Sequence, residues 1–357
     1  TYDNDDCGSA SGPDCTESYS ATDPPSPPPL FSSSTLLSGG DYQAIDVSKD
    51  GTNIVVGIKT GHLMYSTDGG ASFADSSGAT SDGNWQQLAA CGDTGTFYAA
   101  EYEGGIWKST DKGASWTEID TTDRYNKGLD CSADGTKVVL TVQTGSPLLS
   151  TASGSTFTAQ TALSDAYGTS GWTDACIDDN TAFTAVLLKE GNIIIYDAAT
   201  NSVTDIDPTP AYDEYRECAI SSDGSTIAVT TFGSADPSGY VWISANSNRS
   251  VWYERQPGWM EATGLDQWQG IAIGGTGARG THLAVGVYNG ALYTSDDTGQ
   301  TWSDSGLANA NWGDGGMSGI AASEGSAFFA IAYGTALYKL SGAYPPPPPS
   351  PPSLPPP

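Results

Sequence analysis

The sequence predicts an all-β fold: a single seven-bladed β-propeller closed by its N-terminal strand and followed by a polyproline II segment. Three observations predict it. An eight-residue spelling, Ser-x-Asp-x-Gly-x-Ser/Thr-aromatic, recurs at Ser66–Phe73, Ser109–Trp116 and Ser295–Trp302. Seven turn anchors, Gly51, Gly95, Gly135, Asn180, Gly224, Gly277 and Gly325, are spaced 40 to 53 residues apart. Between them lie short apolar, β-branched runs such as Ile54-Val55-Val56 and Ile193-Ile194-Ile195, with no helical periodicity. Four short strands in a repeat of roughly 45 residues is the pattern of a propeller blade, whose strands are buried on both faces between neighbours.

The recurring spelling describes a tight hairpin. Asp68, Asp111 and Asp297 stand at its corner, where a carboxylate accepts backbone N–H groups just downstream. Gly70, Gly113 and Gly299 supply the positive φ that the turn needs. Ser66, Ser109 and Ser295 open the motif, and Phe73, Trp116 and Trp302 close it by packing beneath the turn. Eroded copies occupy Ser150–Phe157 and the stretch from Ser244 to Trp252. Residues repeated this regularly are expected to be structural, and no catalytic residue is assigned among them.

The seventh unit stops after Ala336-Leu337-Tyr338-Lys339-Leu340, without a hairpin motif or a fourth strand. Leu30–Ser38 resembles Thr156–Ser164, the segment after the motif in the third unit. The N-terminal strand is therefore expected to complete the last blade and remove an open sheet edge. This divides the chain into a polar, proline-containing segment (1–29), the propeller (30–343) and a polyproline tail (344–357).

The motifs at Ser66–Phe73, Ser109–Trp116 and Ser295–Trp302 resemble the BNR/Asp-box repeats of sialidases, xyloglucanases, sortilin-type receptors and photosystem II assembly propellers. The resemblance spans about residues 30–343 and implies the fold. It does not select a function, because the same repeats serve hydrolases, receptors and assembly factors. The five arginines, Arg124, Arg216, Arg249, Arg255 and Arg279, lack the Arg-Ile-Pro setting of sialidases. Xyloglucanases form their cleft from two propellers, and this chain carries one.

Composition narrows the partners. With 42 acidic against 13 basic residues and a net charge of -29, the chain is a poor match for nucleic acid or an anionic membrane. No apolar run approaches a membrane span. A chain starting at Thr1 without a leader is expected for the mature form of a secreted precursor. Six cysteines suit an oxidising compartment. Cys7 and Cys15, in a polar segment without a core, are expected to pair locally. Cys91, Cys131 and Cys176 share one column of successive units, with Cys218 two residues earlier on the same face. They read either as small apolar plugs or as bridges between neighbouring blades, Cys91–Cys131 and Cys176–Cys218. An exported protein rarely leaves four thiols unpaired, which favours the bridges. Asn248-Arg249-Ser250 is an N-glycosylation acceptor.

An aromatic precedes the first strand of every unit: Tyr42, Trp85, Tyr125, Trp172, Tyr215, Trp268 and Trp312. Such a ring is either a set of sugar-stacking platforms or a wedge that the fold requires between blades. Strict repetition favours the wedge, since ligand sites normally break symmetry. Asp46, Asp130, Asp174 and Glu217 lie near first strands, where two carboxylates at suitable separation hydrolyse a glycosidic bond. In so acidic a chain chance alone supplies such pairs. His62 and His282 lack companion ligands, and Asp3-Asn4-Asp5-Asp6 lacks the spacing of a calcium loop, so neither metal nor cofactor is expected.

Residues 345–357 hold ten prolines in thirteen positions, and Pro24-Pro25-Ser26-Pro27-Pro28-Pro29 is a shorter relative. Such tracts form semi-rigid polyproline II rods. Their Ser-Pro-Pro spelling resembles the hydroxyproline-rich glycoproteins of algae and plants. That resemblance implies hydroxylated and glycosylated Pro345, Pro346, Pro347, Pro348, Pro349, Pro351 and Pro352, with sugars on Ser350 and Ser353. The expected function is a secreted, non-enzymatic structural or adhesive glycoprotein of a fibre, cell wall or flagellar surface. Its expected partners are copies of itself or other extracellular glycoproteins. The alternative is a carbohydrate-binding or glycoside-hydrolysing propeller. An assembly chaperone fits the fold, but the glycoprotein-like tail speaks against it.

Overall fold

The computed structural model describes residues 31–180, 184–189, 191–197, 200, 202–206, 213–233, 239–245, 251–255, 268–274, 281–288, 290–307, 319–324, 327–332 and 334–342. Regular structure among these residues is β-strand apart from one short helix. The chain enters through β1 (Phe31–Ser38) and then forms a meander of β2 (Tyr42–Val47), β3 (Ile54–Gly61), β4 (Leu63–Ser66) and β5 (Ala74–Asp75). Next come β6 (Gly83–Cys91), β7 (Thr96–Ser109), β8 (Thr117–Cys131), β9 (Val138–Val142), β10 (Leu148–Ser150) and β11 (Thr158–Ala159). Strands β2 to β11 join into one ten-stranded sheet.

After the helix α1 (Thr161–Tyr167), three separate four-stranded meanders follow. The first is β12 (Trp172–Ile177), β13 (Thr184–Lys189), β14 (Asn192–Asp197) and β15 (Ser202–Ile206). The second is β16 (Asp213–Ile220), β17 (Ile227–Gly233), β18 (Val241–Ser244) and β19 (Tyr253–Glu254). The third is β20 (Trp268–Gly274), β21 (His282–Val287), β22 (Leu292–Ser295) and β23 (Ser303–Asp304). The last sheet, ordered β1-β26-β25-β24, combines β24 (Ile320–Ala322), β25 (Ala327–Ala332) and β26 (Ala336–Gly342) with the first strand of the chain. There Phe31 lies opposite Gly342 and Ser38 opposite Ala336, antiparallel.

Two details differ from the sequence reading. Four short strands per unit hold in the later sheets, but β7 and β8 are 14 and 15 residues long. The first part of β8 pairs with β7 (Thr117 with Lys108), and its end pairs with β9 (Cys131 with Val138). Residues 117–127 contain neither Gly nor Pro, so nothing forces a break where one unit passes into the next. The second difference is α1. The segment matched to Leu30–Ser38 makes a two-residue strand and then a helix, whereas Phe31–Ser38 is strand throughout. Ala162, Leu163 and Ala166 are good helix formers, and Leu163 buries against Trp172 and Val139.

Burial explains the apolar runs. All five residues of Val138–Val142 are buried, as are Ile54, Val55 and Val56. Alternate side chains of one strand enter different clusters. Val55 packs with Leu63 of its own unit and with Trp85 and Phe97 of the following one, while Ile54 and Val56 pack with Phe329 and Leu337 of the last sheet. A strand that meets a neighbour on each face must be apolar on both.

The hairpin motif is built from side-chain hydrogen bonds. Ser66 Oγ donates to Asp68 Oδ1 at 2.8 Å and accepts the Gly70 N–H at 2.9 Å. Asp68 in turn accepts the Ser72 N–H at 2.9 Å and the Ser72 hydroxyl at 2.6 Å. The same four bonds recur around Asp111 and Asp297. At Ser150–Phe157, Ala152 replaces the Asp, and only the serine half persists, with Gly154 N–H to Ser150 Oγ at 3.1 Å. These hydrogen bonds to the ionised form hold Asp68 down at about 2.

Gly113 has φ +87°, and a Cβ there would lie 2.6 Å from Val55 Cγ2 of the preceding unit. The motif therefore docks one unit onto the one before it. Cys91 is bonded to Cys131 and Cys176 to Cys218, with Cα atoms 5.5 and 6.0 Å apart. First strands of adjacent units thus approach closely enough for a disulfide. Two disulfides fit an oxidising environment.

Candidate functional site

First strands of successive units, β2, β6, the end of β8, β12, β16, β20 and β24, surround a channel with a cavity of about 210 Å³. Their apolar side chains, Ile45, Leu88, Leu129, Ile177, Ile271 and Ile320, make much of its wall. Asp46, Asp130, Asp174 and Glu217 stand on the same wall.

Each of these carboxylates reaches into the next unit. Asp46 accepts the Ala90 N–H at 2.7 Å, and Asp130 accepts the Ile177 N–H at 2.9 Å. Asp174 accepts the Cys218 N–H at 2.8 Å, and Glu217 accepts the Ile271 N–H at 3.2 Å. Asp46 and Asp130 also accept the N–H of their own successors, Val47 and Cys131, both at 2.7 Å. An innermost strand has a sheet partner on one side only, which leaves N–H groups without a ladder acceptor. The neighbouring carboxylate supplies the missing acceptor.

Burial raises all four carboxyl groups. Asp46 and Asp174 are pushed from 3.8 up to about 7, with the backbone N–H bonds opposing the rise. Asp130 goes well above the carboxylate range through burial, reinforced by the charges of Asp46 and Asp179. Glu217 does the same through burial, with Asp174 beside it. A raised carboxyl is a common mark of an acid catalyst, but these four are already engaged as clasps between units.

One end of the channel is crossed by a polar cluster. Lys49 follows β2 and forms a salt bridge with Asp179, which follows β12. Lys49 Nζ also lies 3.1 Å from Glu324 and donates to Ser222 Oγ at 2.9 Å. Ser222 then donates to Glu324 at 2.9 Å, and Asp179 accepts the Ala133 N–H at 2.5 Å. Five separate units are tied together at this end by one lysine and its acceptors.

The repeated aromatics are mostly wedges. Tyr42, Trp85, Trp172, Tyr215 and Trp268 are buried, and Tyr125 is exposed. Trp312, Asn248, Cys7, Cys15, Ser350, Ser353 and the prolines 345–349 and 351–352 lie outside the described residues. Among the described residues no group of three or more His, Cys, Asp or Glu is placed to hold a metal ion. No described helix is long and apolar enough to cross a membrane.

A second cavity, of about 380 Å³, lies at the opposite ends of the first strands. Lys127, Gln143, Trp172, Thr173, Glu214 and Arg216 line it, contributed by three successive units. The sequence reading placed Trp172 in the aromatic row and Arg216 among the arginines, but did not bring them together. Arg216 directly follows Tyr215, the counterpart of Trp172 in the next unit, and that adjacency was the available signal.

No protein-family model matches the chain, and no curated protein matches it. Solved structures do. YCF48 from Cyanidioschyzon merolae superposes with a TM-score of 0.63 at 13% identity, covering 87% of this chain and 98% of that one. The GH74 xyloglucanase from Xanthomonas campestris gives 0.64 at 15% identity, covering 86% of this chain and 53% of the enzyme. The Cps50 (Swd1) β-propeller domain from Myceliophteria thermophila gives 0.62 at 12% identity, covering 86% and 99%. At such identities the likeness establishes the fold alone: the chain is a β-propeller.

Proposed function

We propose that this chain is a non-catalytic scaffold of an extracellular glycoprotein assembly, a seven-bladed ring whose proline segments make glycosylated contacts between subunits. The observation that carries this reading is the use of the channel carboxylates. Every one of Asp46, Asp130, Asp174 and Glu217 is bound to a backbone N–H of the adjoining unit, which makes it a fastener. The Lys49 cluster and the two disulfides add further ties between units. Rigidity across units is what a scaffold requires.

Closure of the ring through β1 rests on the same docking rule that the hairpin motifs follow. Gly113 docks on Val55 and Tyr65, Gly154 on Tyr98, and Gly299 on Ile243, in each case the preceding unit. Gly70, in the first unit, docks on Leu36 of β1, where a Cβ would lie 2.5 Å from Leu36 Cδ1. By that rule β1 belongs to the unit preceding the first, which is the last blade. Its pairing with β26 agrees.

Light scattering of the secreted chain, compared with a chain ending before Pro345, tests the assembly role. Self-association, or capture of an extracellular glycoprotein, is expected for the full chain and lost on truncation. Glycopeptide mass spectrometry is expected to find sugars on the 345–353 region. A full chain that stays monomeric, binds no glycoprotein and bears unmodified prolines and serines would sink the reading.

A further inference from the structure

The cavity of about 380 Å³ breaks the symmetry of the repeats. In two other units the indole at the start of the first strand is satisfied: Trp85 Nε1 donates to the Gly61 carbonyl at 2.8 Å, and Trp268 Nε1 to the Gly239 carbonyl at 3.2 Å. Trp172 is 1% exposed, yet its Nε1–H has no hydrogen-bond partner, and this residue lines the cavity. A buried donor without an acceptor costs about 1–3 kcal/mol, so a native structure that keeps one invites a ligand acceptor.

Two further donors on the same wall are in the same position. The Arg216 Nε–H and the Thr173 hydroxyl are buried without partners. Arg216 is held in place, its guanidinium 4.4 Å from the Phe232 ring and its NH2 group 2.7 Å from Glu214. Lys127 supplies a second cation, seated 5.0 Å from the Tyr102 ring. A chain with 13 basic residues against 42 acidic ones places two of them on this one wall.

We infer that this cavity binds a monocarboxylated sugar, a hexuronate, with its carboxylate toward Arg216, Lys127 and the Trp172 N–H and its hydroxyls toward Gln143, Thr173 and Glu214. The donors and cations call for an anion rich in acceptor oxygens. Glu214 and the net charge of -29 disfavour a dianion and leave room for one negative charge. Glu214 and Gln143 also offer acceptors that a carboxylate cannot use but hydroxyl groups can. The volume lies within the roughly 300–1,000 Å³ of small-molecule sites. The site stands independently of the assembly role and needs neither proline segment.

Calorimetric titration of the whole chain with galacturonate, glucose and inorganic phosphate tests it. Galacturonate is expected to bind at one site with a Kd of about 0.1–1 mM, with glucose and phosphate weaker by about tenfold or more. Trp172→Phe keeps an aromatic ring in the wedge, loses part of the buried indole and removes a donor that no protein group uses. It is expected to lower the melting temperature of the ligand-free protein through the lost packing and to weaken galacturonate about tenfold. Lys127→Gln is expected to weaken it about fivefold and to flatten its salt dependence. If Trp172→Phe misfolds, Lys127→Gln decides. Absence of galacturonate binding at about 10 mM, equal binding of glucose or phosphate, or undiminished affinity in the variants would overturn the assignment.

Discussion

Asp174 accepts the backbone N–H of Cys218 at 2.8 Å, and Cys218 is disulfide-bonded to Cys176, two residues beyond Asp174. One pair of adjacent strands is thus fastened twice within a few ångströms, once by a hydrogen bond and once by a covalent bond. At Asp130, on the neighbouring strand, the two ties divide: the adjacent Cys131 is bonded back to Cys91, while the carboxylate reaches forward to Ile177. The three junctions along these four consecutive units are thus held by a disulfide, by a hydrogen bond and by both together.

The disulfides add stability chiefly by restricting the unfolded chain. Cys91–Cys131 closes a separation of 40 residues. Replacing both with serine is expected to lower stability by about 4 kcal/mol, read from the urea midpoint of unfolding. Addition of a reductant should lower the wild-type midpoint and leave that of a chain lacking both bridges unchanged.

The eroded hairpin offers a gain. Ala152 occupies the corner that Asp68, Asp111 and Asp297 hold elsewhere, while Ser150 and Thr156 keep the positions of the partners. Ala152→Asp is expected to stabilise by about 1 kcal/mol, and Asp111→Ala to destabilise by about 1–3 kcal/mol. Denaturant unfolding of the two variants should show opposite shifts. Shifts of the same sign would mean that the hairpin bonds contribute little.

Lys49 is the cation that bridges the channel end. Lys49→Met leaves Asp179 and Glu324 facing one another without their counter-charge. A loss of about 1–3 kcal/mol is expected, partly restored when Asp179→Asn is combined with it. A double-mutant cycle measures this coupling, and a coupling of zero would remove the cluster from the set of ties between units.

The repeat architecture was legible because its signals are local. A hairpin with Asp, Gly and an aromatic at fixed offsets is spelled within eight residues, and the cysteine column follows once the repeats are aligned. The carboxylates Asp46, Asp130, Asp174 and Glu217 were singled out for the right location, but their role was not legible. Their partners lie 44, 47, 44 and 54 residues away and are backbone N–H groups, which carry no sequence signature. The helix α1 was missed because seven residues are too few to establish a period. The cavity near Trp172 was invisible for a related reason. Its donors come from three units, and what distinguishes Trp172 from Trp85 and Trp268 is an acceptor that the backbone does not provide there.

Stability measured against pH tests most directly whether the channel carboxyls are enclosed between units in the folded protein, as fasteners there must be. Asp46 and Asp174 titrate at about 7 in the folded protein, above the 3.8 of an ordinary aspartate, because of burial. The folded state therefore holds their protons more tightly than the unfolded state does. Their contribution is full below 3.8 and is lost as pH rises through about 7. Asp68 of the hairpin motif and Asp134, which accepts from Ser132 and Thr136 in the turn between β8 and β9, are lowered to about 2 by hydrogen bonds, so their contribution is present above 3.8 and lost as pH falls through about 2. Urea unfolding from about pH 2 to about pH 8 should show a maximum near about pH 4–5 and a decline toward neutrality. Asp46→Asn with Asp174→Asn should remain folded and flatten that decline. A wild-type midpoint that rises from about pH 4 to about pH 8, or a double variant with an unchanged slope, would contradict the enclosure of these carboxyls between units on which the fastener role depends.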